Sequence, residues 1–301
     1  FMEKYAPNMM ELASRDVVSR AEQTEINAGN GVNGCMFLDC RHLGESLILE
    51  KLSQIREIGI DLIGVDMITD PVPIRPGMHY IMGGIKTDVD GQTNLPGVYA
   101  AGECACVSVH GGNRLGANSL LDTIVFGQRS GVHAAQACRD QEYIEFDVEQ
   151  AARREERRIQ EVINRPQNGD RIGSVRLAMG ESMNRNLAVY RDEAGMLETM
   201  HDLRGLKEKY TRVPVDNKNR VFNTDLVFAL ELGFMLDCAE TIAVSALERK
   251  DSRGAQARTD YPNRDDENWM KHIVAVKGEE GPEISYSPVS ITRWTPEERK
   301  Y

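Results

Sequence analysis

A glycine-rich loop pattern followed by a helix pattern occupies residues 109–128, VHGGNRLGANSLLDTIVFGQ. Arg114 stands among the glycines of the loop, which allow tight turns and close approach of the backbone to a neighbour. Ser119 is a favourable N-cap residue in front of the apolar periodic run that starts at Leu120. The pattern therefore predicts a helix that begins just after Ser119, with its free N–H groups and partial positive charge directed toward the carboxyl end of the strand-like segment GVYAAG.

A short apolar run precedes this loop in the sequence NLPGVYAAGE, residues 94–103. Its GVYAAG segment predicts a short buried strand that stops at Gly102 and is followed by Glu103, and TDVDGQT before it predicts a hairpin turn. Ligands of α/β proteins bind at the carboxyl ends of strands, where a glycine admits a cofactor and a carboxylate can bind ribityl or ribose hydroxyls. A strand and a capped helix without any ligand are an equally good account of these residues alone.

Composition limits the class of protein. A chain of 301 residues with 41% apolar residues can bury a large core and normally forms two or more domains. Its 36 basic and 47 acidic residues leave a net charge of −11, the wrong sign for general nucleic-acid binding. The most apolar segment, residues 226–247, is interrupted by Glu231, Asp237 and Glu240, so it predicts a buried core helix and not a membrane span.

The cysteines and the first residues add two expectations. None of the six cysteines forms a CxxC pair, which favours reduced, buried thiols in a reducing compartment over a zinc or redox site. They are Cys35, Cys40, Cys104, Cys106, Cys138 and Cys238. The opening FMEKYAPNMMELASRD lacks the patterns of signal and transit peptides and begins within a pattern, so we expect it to continue a longer chain.

The first half of the chain divides into two blocks with different patterns of predicted secondary structure. In residues 1–70, the helical patterns ELASRDVVSRAEQ and ESLILEKLSQIREIG flank CMFL, a candidate strand. In residues 71–137, short strand patterns alternate with glycine turns. Both blocks are therefore expected to mix helix and strand.

The second half differs in composition. Residues 138–250 are predicted to be helical, with the charged VEQAARREERRIQEVI followed by two more helices, after Asp170 and after Asn223. Residues 251–301 are polar and loop-rich, with a strand-like piece at PVSITRW. The whole pattern indicates an α/β part followed by an α part.

Several long motifs resemble the flavoprotein subunit of succinate dehydrogenase and fumarate reductase. They are ASRDVVSR, HYIMGGI, GVYAAGE, SVHGGNRLGANSLLD and DSRGAQARTDYPNRDDENWMKH, in matching order from the first residues to about Lys271. The resemblance implies the C-terminal portion of an FAD-binding Rossmann-like domain with part of a capping domain. By this resemblance, residues 1–70 are the C-terminal part of the capping domain, and residues 71–137 are the second half of the FAD-binding domain. A helical domain, 138–250, and a small C-terminal domain, 251–301, follow.

The same resemblance implies a function. The whole polypeptide would bind FAD, interconvert succinate and fumarate, and pass electrons to an iron–sulfur subunit in a complex with membrane anchor subunits. Its location would be cytoplasmic and peripheral on the inner face of the cell membrane, or on the matrix side in a mitochondrion. No GxGxxG fingerprint occurs in these residues, and the family's flavin-attachment histidine lies upstream, so the chain is expected to be the C-terminal part of its protein.

Three residues are implied to act on the substrate. A buried dicarboxylate needs fixed cations and charge-assisted hydrogen bonds in place of water. Arg114 supplies a fork for one carboxylate, and His79, by the resemblance, contacts the other. Arg15, in the RD of ASRD, is implied to transfer the proton to or from the substrate carbon; by itself it would be interpreted as a surface residue paired with Asp16.

Further positions are implied to bind the cofactor. These are Gly83, Gly84, Glu103, Asn118, Ser119 and Leu120. Arg253 and Arg258 are expected to contact the FAD domain and polar edges of the flavin. Gln256 departs from the pattern, because related subunits commonly have histidine there, and this puts covalent attachment of the flavin in doubt.

Two other functions are compatible with the sequence. L-aspartate oxidases share a similar framework around the HY, GG and NSLL motifs, but their chains usually lack the DENWxKH ending that is present here at residues 266–272. A chain that exists only as these 301 residues could instead be a catalytically incompetent assembly or interaction module.

Overall fold

The computed structural model describes residues 1–140, 142 and 146–297. Residues 141, 143–145 and 298–301, which fall in the two C-terminal predicted blocks, lie outside the described residues. The chain divides into two compact units, one formed by Phe1–Met78 with residues 296 and 297, the other by His79–Thr295. Helices and small sheets occur together, as the coarse α/β plus α prediction requires, while the four-block division stays a prediction.

Three α-helices and a two-stranded sheet lie in the described residues of the first unit. They are α1 (Arg15–Asn27), β1 (Met36–Leu38), α2 (Glu45–Lys51), α3 (Ser53–Ile63) and β2 (Val72–Ile74). The strands are antiparallel, with Phe37 opposite Pro73, so the strand predicted at CMFL is confirmed. Helix α1 packs its buried face on the preceding loop, where Met2, Ala6 and Ala13 are also buried.

The second unit begins with a short parallel ladder between β3 (Ile85–Lys86) and β4 (Ala105–Cys106). Gly84 lies directly before β3 with φ +145°, and a Cβ atom there would lie 2.5 Å from the carbonyl oxygen of Cys104. Because a side chain would collide with the backbone at this distance, the ladder requires glycine at this position.

The segment GVYAAG is not a regular buried strand, and that prediction is wrong. Tyr99 forms only an isolated bridge with Gln92, and Val98 is exposed. A strand needs a neighbouring strand for its backbone hydrogen bonds. Here the neighbour is only the short stretch around Gln92, just after the preceding turn. That turn, in TDVDGQT, is confirmed by the bond from the Gly91 amide to the Asp88 carbonyl, 3.2 Å.

The helical part of the second unit contains five long helices. They are α4 (Asn118–Asp140), α5 (Val148–Ile163), α6 (Ile172–Leu187), α7 (Glu193–Tyr210) and α8 (Thr224–Glu248). Three helices follow Asp170, where two were predicted. Helix α7 was missed because Gly195 and Gly205 interrupt its weak apolar period, although Asp192 caps it by accepting a bond from the Gly195 amide, 2.8 Å.

Helices α6, α7 and α8 pack around one apolar core. Its buried members are Val175, Met179, Leu187, Met196, Leu203, Leu206, Val213, Leu232, Leu236, Ala239, Ala243 and Ala246. The predicted buried helix at residues 226–247 is thereby confirmed. In the described part of the chain, no helix has the length and apolarity that crossing a bilayer requires.

The second unit ends with a short helix and a hairpin: α9 (Asp266–Trp269), β5 (Lys271–Lys277) and β6 (Pro282–Pro288). The strands are antiparallel, with Ile273 opposite Tyr286. The strand predicted at PVSITRW is wrong, because β6 stops at its first residue, Pro288, and the described residues that follow, with the exposed Trp294 among them, are not in a strand.

All six cysteines are free thiols, as predicted, but their expected burial is wrong for most of them. Cys40 is buried in the first unit, whereas Cys104, Cys138 and Cys238 are exposed. Cys138 and Cys238 lie on helix faces that point away from the packed side, and helical periodicity alone does not distinguish those faces.

Candidate functional site

A segment of the second unit, residues 79–84, runs past the glycine-rich loop and is held by two backbone contacts. The amide of Ile81 donates to Oε1 of Glu103, 3.0 Å, and the amide of Arg114 donates to Sδ of Met82, 3.0 Å. Two residues that sequence reasoning selected, Glu103 and Arg114, are thus brought to the same segment.

The guanidinium of Arg114 lies on the face of an aromatic ring. Its Cζ is 4.7 Å from the centre of the Tyr80 ring, and Nη1 donates to the carbonyl of Leu115, 2.8 Å. Its Nε is buried without a hydrogen-bond partner, and within the described residues Arg114 forms no ion pair. A guanidinium has five N–H donors, so this one has donors left for an anion.

Sequence reasoning missed a buried polar cluster that is formed by the Tyr80 hydroxyl, Asp122 and His110. The Tyr80 hydroxyl donates to Oδ2 of Asp122, 3.0 Å, and Nε2 of His110 lies 3.1 Å from the same oxygen. Burial, and then the bond to Asp122, raise the pKa of Tyr80 to about 12. A signal was available in the sequence, since Asp122 is a carboxylate within the apolar run of a helix.

The two other residues that were predicted to act on the substrate, His79 and Arg15, are exposed. His79 lies one residue before Tyr80, so the segment that carries the ring also carries His79. Arg15 is the first residue of α1 in the first unit, with Nη1 3.5 Å from the Glu11 carbonyl. Its proposed surface pair with Asp16 is not formed, because Asp16 pairs with another residue, Arg20, at 3.0 Å.

Helix α4 begins at Asn118, two residues earlier than predicted, and Ser119 is its second residue, so its assignment as N-cap is wrong. The carbonyl of Ala117 accepts the first helical bonds, from Leu120 at 3.1 Å and Leu121 at 3.4 Å. Ala117 has φ +63°, a conformation that turns the loop directly into the helix at Asn118. The helix start still follows the glycine loop, with Leu120 exposed beside it.

The glycines of the site have different neighbours. A Cβ atom at Gly83 would meet open space, whereas one at Gly112 would lie 3.0 Å from the Arg253 carbonyl oxygen. The Gly112 carbonyl accepts a bond from the Ala255 amide, 2.8 Å. Close packing against the 253–256 loop therefore favours glycine at position 112.

Arg258 does not have the surface that its expected flavin contact would need. Its side chain is 1% exposed and binds the carboxylate of Asp260, with Nε 2.6 Å from Oδ1. It also donates to the carbonyls of Leu247, 3.0 Å, and Arg249, 3.1 Å. Because these carbonyls end helix α8 without intrahelical partners, Arg258 is explained as the closure of that helix.

Arg253 is likewise held by carboxylates of its own unit. Its Nε donates to Oδ2 of the fully buried Asp251, 3.1 Å, and its Nη2 donates to Oδ1 of Asp266, 2.7 Å. Its side chain therefore stabilises the loop that supports Gly112.

Gln256 is also engaged by its surroundings. Its Oε1 accepts a bond from Nη1 of Arg191, and its Nε2 donates to the carbonyl of Ala246, 3.0 Å. Burial and the nearby cationic Arg258 lower the pKa of Arg191 to about 10. A neutral side chain at position 256 therefore satisfies a buried guanidinium without adding a third positive charge.

Comparison with known proteins shows which families and relatives this chain is similar to. The family described as "Fumarate reductase flavoprotein C-term" matches residues 176–301, and the family described as "FAD binding domain" matches residues 1–120. The fumarate reductase flavoprotein subunit of Mycobacterium tuberculosis is 43% identical over 97% of this chain and 52% of the relative. The succinate dehydrogenase flavoprotein subunit of Rickettsia conorii is 39% identical over 99% of this chain and 52% of the relative.

A solved structure of E. coli quinol fumarate reductase matches with a TM-score of 0.90 and 38% identity. The match covers 96% of this chain and 51% of the solved chain. This chain therefore spans about half the length of the curated and solved relatives that it matches.

Proposed function

Since the chain belongs to the family of fumarate reductase and succinate dehydrogenase flavoprotein subunits, we propose that it forms the substrate-binding half of an FAD-dependent enzyme that interconverts succinate and fumarate. The observation that carries the proposal is Arg114. Its guanidinium lies on the Tyr80 ring with a buried, unpartnered Nε, and it forms no ion pair within the described residues.

The residues around the start of α4 fit part of an FAD site. Gly83 faces open space, Leu120 presents exposed apolar surface, and the first amides of the helix carry partial positive charge. Glu103 keeps one carboxylate oxygen beyond its bond to the Ile81 amide and suits sugar hydroxyls.

We assign six residues to FAD binding, and the cofactor, when bound, supplies hydride exchange at its N5 atom. They are Gly83, Gly84, Glu103, Asn118, Ser119 and Leu120.

The substrate's two carboxylates require two fixed contacts. Arg114 binds one of them through its free N–H donors, with the bidentate geometry that suits guanidinium and carboxylate. His79 binds the other from the segment that Glu103 and the Arg114 amide hold in place. These contacts replace the water that a dianion loses on binding.

The reaction also needs a proton at the carbon next to the one that exchanges hydride. Succinate loses one hydride and one proton to become fumarate, and the reverse reaction returns both. We assign the proton to Arg15, whose exposed guanidinium forms no ion pair within the described residues. The assignment rests on its match to the family's ASRD motif.

The proposal extends to organisation and partners. We infer that residues 1–70 end a capping domain, 71–137 complete an FAD domain, and 138–250 and 251–301 form helical and C-terminal domains. Electrons leave for an iron–sulfur subunit held by membrane anchor subunits, on the inner face of the cell membrane or the matrix side in a mitochondrion. The solved relatives, described as quinol fumarate reductases, support this arrangement.

The full-length, flavin-loaded protein tests the proposal directly. Malonate, a dicarboxylate that cannot react, is titrated while the flavin absorbance is followed, and succinate oxidation and fumarate reduction are measured on the same preparation. We expect saturable malonate binding and activity in both directions. Oxidation of L-aspartate without any succinate or fumarate turnover would instead place the protein with the L-aspartate oxidases.

A further inference from the structure

Asp122 is a buried carboxylate on a helix that otherwise exposes its apolar residues. Among the described residues of α4, only Asp122 and Ser130 are buried, whereas Leu121 is 56% exposed and Ile124 is 66% exposed. The Asp122 side chain is 5% exposed. Because burial of an ionised carboxylate costs several kcal/mol unless the group is paired and hydrogen-bonded, its partners must compensate for this loss of hydration.

Those partners are the side chains of Tyr80 and His110, which both contact the same oxygen atom of Asp122. Oδ2 of Asp122 accepts from the Tyr80 hydroxyl at 3.0 Å and lies 3.1 Å from Nε2 of His110. A carboxylate only accepts hydrogen bonds, so this contact requires the proton of His110 on Nε2. The two ring planes meet at 90° with centroids 5.7 Å apart, so one carboxylate holds two rings in a defined mutual orientation.

The Tyr80 ring in turn orients Arg114. The guanidinium carbon lies 4.7 Å above the ring centre, within the range of a cation–π contact. Within the described residues, the Arg114 side chain donates to the carbonyl of the adjacent residue, Leu115, in its own loop. The position of the ring, which the Asp122 bond to its hydroxyl and the edge-to-face contact with His110 hold, is therefore the principal constraint on where the remaining N–H donors point.

We propose that Asp122 is a positioning residue for carboxylate binding: it holds the Tyr80 ring, and through that ring it orients the Arg114 guanidinium toward the substrate. Asp122 itself contacts neither substrate nor cofactor. The inference rests on the proposed function, because it assumes that Arg114 binds a dicarboxylate. It adds a residue 42 positions from Tyr80 in sequence to the determinants of substrate affinity.

The test uses Asp122→Leu, which keeps the branched shape but has no acceptor, Tyr80→Phe and the double variant in the full-length, flavin-loaded protein, with malonate binding measured by isothermal titration calorimetry. Each single variant breaks the same connection, so each should raise the Kd of malonate about tenfold, the scale of one charge-assisted hydrogen bond. The double variant should raise it no further, since residues that act as one unit are not additive. The KM for succinate should rise with the Kd, and kcat should change less.

Ser130→Ala is the matched control, because Ser130 is the other buried polar residue of α4 and should leave malonate affinity unchanged. Unchanged affinity in Tyr80→Phe, which removes a single oxygen atom, would overturn the inference even if Asp122→Leu failed to fold. Additive effects in the double variant would overturn it as well. Absence of malonate binding in the parent protein would instead refute the proposed function.

Discussion

At the scale of single residues, the proposed function assigns the binding of one substrate carboxylate to the charge of Arg114. Arg114→Ala removes the guanidinium while leaving the Tyr80–Asp122 bond in place. We expect malonate affinity to fall by about 1.5 to 3 kcal/mol, the value of a charged hydrogen bond, and by more if the contact is bidentate. Titration of the full-length protein, followed by flavin difference spectra, measures this change.

Arg129→Ala is the control for the loss of a positive charge from the same helix region. Arg129 pairs with Asp90 at 2.7 Å on the exposed surface, and exposed pairs contribute little. Malonate affinity should be unchanged in this variant. Equal weakening in both variants would show that net charge, and not the position of Arg114, determines binding.

Arg15 should affect turnover and not binding. In Arg15→Lys the positive charge remains, but the planar donor group and its reach are lost. We expect nearly unchanged malonate affinity and a fall in turnover of about 10²-fold to 10⁴-fold for both succinate oxidation and fumarate reduction, the range of general acid–base catalysis.

Arg20→Lys on the same helix is the comparison for Arg15→Lys, since Arg20 is engaged by Asp16. It should retain parental rates. Near-normal turnover in Arg15→Lys would remove the proton-transfer assignment, and both variants should retain their flavin.

At the scale of secondary-structure elements, helix α8 depends on the loop that closes its end. Arg258 is buried between the last carbonyls of α8 and the carboxylate of Asp260. Asp260→Asn leaves that guanidinium buried without its counter-charge. We expect the free energy of unfolding at neutral pH, from urea denaturation, to fall by about 3 kcal/mol, the lower end for a broken buried pair because the carbonyl contacts remain.

The effect of Asp260→Asn should depend on pH in a defined direction. Hydrogen bonds from Arg258 lower the pKa of Asp260 from 3.8 to about 2. A lowered folded-state pKa stabilises the protein above pH 3.8, and this contribution is lost as the pH falls toward 2. The difference in unfolding free energy between parent and variant should therefore shrink over that interval.

Asp216→Asn is the control, because Asp216 and its partner Arg171 are both largely exposed. It should cost less than about 1 kcal/mol at any pH. A parent–variant difference for Asp260→Asn that stayed constant down to pH 2 would contradict a stabilising role for the ionised carboxylate.

At the scale of the whole molecule, the second unit leaves apolar surface uncovered along α4. Leu120, Leu121, Ile124 and Val132 are all exposed on this helix. A surface of this kind usually packs against other protein. The chain spans about half of its relatives, which supports the proposal that further polypeptide covers α4 and completes the FAD site.

The 301-residue chain expressed as printed should therefore purify without flavin and bind a dye such as ANS that reports exposed apolar surface. Absorbance near 450 nm per mole of protein and ANS fluorescence measure the two properties. One mole of flavin per mole of protein in this preparation would show that these 301 residues alone hold the cofactor.

Local sequence patterns determined the elements whose cause is local. The helix at residues 226–247, the charged helix α5 and the strand at CMFL follow from the spacing of apolar and charged side chains within each segment. The motifs also identified the family, because they are long and keep their order. Residues Arg15, His79 and Arg114 were selected for the same reason.

Only the tertiary structure decided which partners these elements meet. Asp122 joins Tyr80 and His110, Gly112 packs on the 253–256 loop, and Arg258 is buried at the end of α8. GVYAAG is not a regular strand because too little neighbouring chain pairs with it. Each outcome depends on contacts between residues distant in sequence, and the period and propensity of a short segment carry no information about which distant residue will supply the hydrogen bond, the charge or the steric limit.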